Sequence, residues 1–216
     1  MTDEQISRII EEELKLKTLG VTEQYLEVHN VVYKNNKAII ERIDRERGDN
    51  TIIVYLPVAG ETFYFAAYID PETKTVSGFH TEANYRVYFK ATSETMTLPE
   101  LSSLTKLKPT ESWNKGDIRT NTNSKLKFSL ISFFPNPEPD EFEDKLNKLM
   151  DFLEQDIQGI KALISQASGC IQAAITYHDA NGMLGGPTID ARSIKRMNDL
   201  GLEINFDLYV EGNPLK

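Results

Sequence analysis

The sequence predicts an α+β protein: a mixed or antiparallel sheet covered by one long and several short helices, behind a helix-plus-hairpin N-terminal part. Three observations carry this expectation. Runs rich in β-branched and aromatic residues, punctuated by turns, fill much of 51–92. From about residue 83 the patterns alternate as strand, helix, strand, long helix, strand, helix, strand, the order of a sheet with helices laid on it. Between Phe142 and Ile164, apolar residues step by three and four, a stripe wide enough to lie on that sheet. On this reading residues 1–82 are an N-terminal helical and β-hairpin region, and 83–216 a sandwich-like α/β domain.

The elements follow in order. Ile6, Ile9, Ile10 and Leu14 recur at helical spacing; Asp3 is placed to cap that helix and Gly20 to end it. Residues 21–32 carry no decisive pattern. Ala38, Ile39, Ile40 and Ile43 share one side of a helix expected over 36–47, stopped by Gly48-Asp49. TIIVYLPV (51–58) and TFYFAAYI (62–69) form a hairpin about Ala59-Gly60-Glu61, and TVSGFH (75–80) and YRVYFKAT (85–92) extend it as a meander. In the last run Tyr85, Val87 and Phe89 alternate with Arg86, Tyr88 and Lys90, which marks one wet face. Thr97 caps a short helix with Pro99 in its first turn, and 109–124 reads as a long polar loop. KLKFSLISFF (125–134) is a strand, broken by Pro-Asn-Pro-Glu-Pro. Asp140 opens the long helix, with Gly159 as a candidate kink. GCIQAAITYH (169–178) is a strand, 181–187 a Gly-rich loop, Asp190 the cap of a helix ending near Gly201, and LEINFDLYV (202–210) the closing strand.

Composition bounds the function. The 216 residues include 24 basic and 33 acidic side chains, a formal net charge of −9, so the overall field repels polyanions. Apolar types make up 40%, which excludes disorder throughout. One cysteine, Cys170, cannot form an internal disulfide and fits a reducing cytoplasm. No apolar run reaches the length of a membrane span, and the acidic start MTDEQISRIIEEE is the reverse of a signal peptide.

Candidate chemistry is sparse. His29, His80 and His178 stand far apart in sequence, without the clustered spacing of a zinc site, so no metal or other cofactor is expected. His178 and Asp179 adjoin at a strand end and would point to opposite faces, which works against a base with its orienting carboxylate. Gly182, Gly185 and Gly186 precede the helix capped by Asp190, yet match neither the dinucleotide nor the P-loop spacing. A tight turn is the plainer reading, with Gly185 and Gly186 kept as anion-binding candidates. Residues 104–127 stand out from the acidic whole, with six cations against two carboxylates and the single tryptophan, Trp113. There Trp113, Lys115, Asp117 and Arg119 are binding candidates, against the plainer reading of Trp113 as an anchor of its loop. No catalytic motif is present, neither a nucleophile elbow nor a carboxylate pair that spacing can single out.

Over roughly 85–211, Lys115-Gly116-Asp117 behind Pro109-Thr110, a long Leu-rich helix, and a closing helix, Leu-Gly and strand ending in Asp207-Leu208-Tyr209 resemble a bacterial domain-of-unknown-function family, number four-two-seven-nine. The resemblance implies no activity; a position of some relatives near toxin systems makes an immunity-type role conceivable. The leading expectation is a cytoplasmic protein-binding module whose acidic surface steers a basic partner such as a toxin, with Trp113 at the contact. The alternatives are a small-ligand binder or hydrolytic enzyme using His178 and a site between the 109–124 and 181–187 loops, and RNA contact through the basic 104–127 loop. Neither a membrane association nor a particular oligomeric state follows from the sequence.

Overall fold

A computed structural model describes residues 1–119, 122, 124–179 and 184–215. The chain divides into two compact units: Met1–Asn84 with Ile175–Gly185 and Leu208–Lys216, and Tyr85–Ala174 with Gly186–Asp207. Helices and sheets are both abundant, and the fold is α+β.

The first unit opens with helix α1 (Asp3–Leu16). Its N-cap is Thr2 rather than Asp3: Thr2 and Gln5 form a capping box that satisfies two otherwise unpaired amides. The helix ends at Lys17 in the left-handed conformation, not at Gly20, which instead begins α2 (Gly20–Val28). The Glu13 carboxylate accepts from the amides of Thr18 and Leu19, both at 3.2 Å, and holds that corner.

The helix expected over 36–47 is absent. Asn35 and Asn36 both take positive φ, the signature of a tight hairpin turn, and join β1 (Tyr33–Lys34) to β2 (Lys37–Ala38). Ile43 then lies in β3 (Arg42–Asp44), opposite Val54 of β4 (Ile52–Pro57). An Ala-Ile-Ile run satisfies a helical stripe or an extended edge equally well, and pairing with β4 decides. Strands β5 (Tyr64–Asp70) and β6 (Thr75–Glu82) complete an antiparallel sheet of order β3-β4-β5-β6. One face of it buries Val54, Leu56, Phe65 and Phe79 with Ile6, Ile10, Leu14 and Tyr25 from the two helices. Ile53, Tyr55 and Ala66 form a smaller cluster.

Strand β7 (Asn84–Ser93) does not extend that meander. It pairs antiparallel with β9 (Ser129–Phe133) in a second sheet of order β11-β10-β7-β9-β8, where β8 is Glu111–Trp113, β10 is Ser168–His178 and β11 is Ile204–Glu211. The amide of Ile171 donates to Glu203 and that of Asp179 to Glu211, one constant offset, so β10 and β11 run parallel. Their crossover carries helix α6 (Ala191–Leu200), capped by Asp190 as expected. Helix α3 (Leu98–Ser103) starts on a Thr97–Glu100 capping box with Pro99 in its first turn, also as expected.

The long helix is two helices. α4 (Phe142–Leu153) passes through one 3₁₀ turn, Glu154–Asp156, into α5 (Ile157–Gln166). The break lies at Asp156, not at Gly159. Asp156 accepts from the hydroxyl of Thr105 (2.9 Å) and the amides of Lys106 (2.7 Å) and Gly159 (3.1 Å), so it ends one helix turn and caps the next. Gly159 is there for space: a Cβ would sit 2.8 Å from the Thr105 Cα. Asp140 does not cap α4 either. It is buried, paired with Lys148 at 2.7 Å and bonded by Asn136 at 2.7 Å, and so fixes the proline-rich entry to the helix.

Candidate functional site

The wet face foreseen in 85–92 is the floor of a cavity. Along β7, Val87, Phe89 and Ala91 are buried, while Arg86, Tyr88, Lys90 and Thr92 point the other way, as strand alternation requires. The antiparallel registers place Lys90, Ser132 and Glu111 side by side across β7, β9 and β8, and then Thr92, Leu130 and Trp113. With Phe128, Phe134, Thr110 and Arg119, these residues line a half-open cavity of about 480 Å³ within the second unit. That volume lies in the range of small-molecule sites, and a few convergent polar groups on an apolar lining are their usual composition.

Aromatic rings shape the walls. Trp113 lies 6.1 Å from Phe128, and Tyr88 meets Phe134 edge-on at 6.2 Å. The Arg86 guanidinium is 5.9 Å from the Tyr88 ring and 5.8 Å from the Phe134 ring, so its charge is held over π faces. Lys90 is steadied by Gln172, to which its Nζ donates at 2.8 Å. Arg86, Lys90 and Arg119 stand against Glu111 alone, a net +2 in a chain whose balance is −9. Burial pushes the Tyr88 hydroxyl above the ordinary tyrosine value, opposed by the charge of Arg86, so at neutral pH it remains a donor. The Trp113 indole N–H is buried and has no hydrogen-bond partner among the described residues.

The sequence candidates separate here. Trp113 and Arg119 reach the cavity; Lys115 and Asp117 build the turn between them. The Asp117 carboxylate accepts from the Asn114 amide at 2.9 Å, Gly116 takes a φ of 93° that a side chain would resist, and the amide of Lys115 donates to Ser129 Oγ at 3.0 Å. The Lys115 ammonium is bonded to the Glu94 carbonyl. The backbone then pairs as a small hairpin, with Gly116 donating to Leu126 and Arg119 to Ser124, which fixes where the Arg119 side chain starts. Arg86, Tyr88 and Lys90, which are not among the sequence candidates, line the cavity as well, and the alternation that exposes them is readable in the sequence.

Gly185 and Gly186 are exposed, and a Cβ at either would meet nothing within 4 Å. Neither glycine makes room for a ligand by close approach. Beyond them the amide of Thr188 is already bonded to the Glu143 carboxylate at 2.8 Å. Asn181, Gly182 and Met183 of the same loop lie outside the described residues.

His178 belongs to the first unit and is buried. Its Nε2 lies 3.0 Å from Nε2 of His29 and 2.9 Å from the Asn213 carbonyl, so two histidines 149 positions apart are in contact. Phe63 and Tyr25 pack on the His178 ring. Burial holds His178 below the ordinary histidine value, against the opposing carbonyl of Asn213. The third histidine, His80, packs on Tyr68. Among the described residues, no three His, Cys, Asp or Glu side chains gather as a metal site, and no helix is long and apolar enough to cross a membrane.

Comparison with curated proteins and with solved structures returned no match. A family model described as a domain of unknown function (DUF4279) matches residues 83–211, more than half of the chain. The range holds β7, β8 and β9, and with them every residue that lines the cavity. The chain therefore belongs to the DUF4279 family of domains of unknown function.

Proposed function

We propose that the protein is a binding protein, and that the cavity on β7, β9 and β8 takes a small anion joined to a flat ring. The observation that carries this reading is the convergence of Arg86, Lys90 and Arg119 on a space walled by Tyr88, Trp113, Phe128 and Phe134. Cations at one part of the lining would meet a phosphate or carboxylate, and the rings would stack on the flat part. The buried indole N–H of Trp113 supplies a donor in want of an acceptor.

The immunity-type reading asks for a basic partner at Trp113. Three cations among the residues that line the same cavity favour an anionic occupant instead. The single cysteine supports a reducing, cytoplasmic setting.

Trp113 is the only tryptophan, so its fluorescence reports the cavity alone. Titration with adenosine monophosphate and benzoate, each against its neutral counterpart, adenosine and benzyl alcohol, tests the reading. A saturable, salt-sensitive change with at least one anion, and none with its neutral counterpart, is expected. Equal responses to the charged and neutral members, or no response to any, would refute it.

A further inference from the structure

We propose that β11 pairs antiparallel with β11 of a second copy of this chain, about a two-fold axis through Leu208. β11 is an edge strand of its sheet, bonded on its inner side to β10. Its alternation is complete: Ile204, Phe206, Leu208 and Val210 share one face, and Asn205, Asp207, Tyr209 and Glu211 the other. The polar face is tied to neighbours, with Asp207 accepting from Gln172 at 3.0 Å and Glu211 from the Thr62 hydroxyl at 2.9 Å. The apolar face is partly covered where Phe206, 40% exposed, meets Phe142, and beyond it is left in water, with Val210 51% and Leu208 61% exposed. Eight residues of open edge with such a face are a template for another strand, and this edge carries none of the lysines or prolines that usually block one.

Charge selects the second copy and fixes its register. A two-fold axis normal to the sheet keeps each face on its own side, so the axis must pass through a residue. Centring on Asp207 opposes two like carboxylates, and centring on Tyr209 sets Asp207 against Glu211. Centring on Leu208 opposes no like charges. Leu208 meets its own copy, Phe206 meets Val210, Asp207 meets the Tyr209 hydroxyl, and Asn205 meets Glu211. No longer self-register avoids repulsion, and the apolar face becomes one ribbon across both copies.

Sedimentation velocity across a concentration series tests the pairing. The wild type is expected to pass from monomer to dimer. Leu208→Lys, which sets two ammonium groups together at the axis, should raise the dissociation constant at least about tenfold. Position 208 is exposed, so circular dichroism should stay that of the wild type. Cross-linking supplies the second test, in a Cys170→Ser background that removes the only native cysteine. Leu208→Cys should oxidise to a disulfide dimer. Val210→Cys should not, because in this register its copies lie about 14 Å apart along the strand. A wild type monomeric at every concentration, a Leu208→Lys protein with the dissociation constant of the wild type, or equal cross-linking at 208 and 210 would each overturn the proposal, the first leaving the edge to a different protein.

Discussion

Gly212 follows β11 with a φ of 88°, and a Cβ built on it would lie 2.9 Å from Phe63 Cε1 and 3.0 Å from both His178 Cδ2 and His29 Cε1. All three rings are buried, so none can swing away. In Gly212→Ala the left-handed backbone costs roughly 1–2 kcal/mol, and forcing a methyl into packed rings costs about 1–3 kcal/mol more, a total near 2–5 kcal/mol. Gly201 separates the two contributions. Its φ is 76°, and a Cβ there meets nothing within 4 Å, so Gly201→Ala should lose only the backbone part. Urea unfolding of both variants, at unchanged slope, measures the difference. If Gly212→Ala lost no more stability than Gly201→Ala, the packing of Phe63, His29 and His178 around the chain end would be wrong.

Three further outcomes follow from the same geometry. A histidine held below its ordinary value binds fewer protons folded than unfolded, so stability should fall as pH drops below about 6.5; His178→Gln, compared by urea midpoints from pH 8 to pH 5, should flatten that limb. Asp156, held below the ordinary carboxyl value chiefly by the Lys106 amide, stabilises above the unfolded value and loses that effect as pH falls through the folded one; Asp156→Ala should cost about 1–2 kcal/mol at pH 7 and less in acid, by thermal unfolding. Arg196 grips Glu154 through two bonds of 2.7 and 2.8 Å and also reaches Asp151, tying α6 to the end of α4. Since its partners are partly exposed, Arg196→Met should cost roughly 1–2 kcal/mol and show in the unfolding midpoint.

The punctuated elements were legible in the sequence. Thr97-Leu98-Pro99-Glu100 and Asp190 act through neighbours three residues away, and the 51–69 hairpin through its own turn, so local chemistry decided them. Where two periods fit one string, as at Ala38 to Ile43, a distant strand chose. The break at Asp156 depends on Thr105 and Lys106, about fifty residues upstream, and no helical pattern carries that information. The site shows the same division. The alternation of Arg86, Tyr88 and Lys90 announced a wet face, whereas its register against Glu111 and Trp113 exists only once β9 lies between them. His29 and His178 stand 149 positions apart and meet because the end of β10 belongs to the same unit as the end of α2. Lys115 and Asp117, binding candidates on their charge, are bonded in the structure to the Glu94 carbonyl and the Asn114 amide, partners that the sequence does not name.

The central claim is that the open face of β7, β9 and β8 holds an anion against aromatic walls. Nuclear magnetic resonance of the ¹⁵N-labelled protein tests it most directly, because one tryptophan gives one indole N–H signal. Adding the best aromatic anion should move that signal together with the amides of Tyr88, Lys90 and Ser132, and Arg119→Ala should weaken binding about 5- to 30-fold, the effect of losing roughly 1–2 kcal/mol. Shifts confined to other surfaces, with the Trp113 indole unmoved at saturation, would contradict the account.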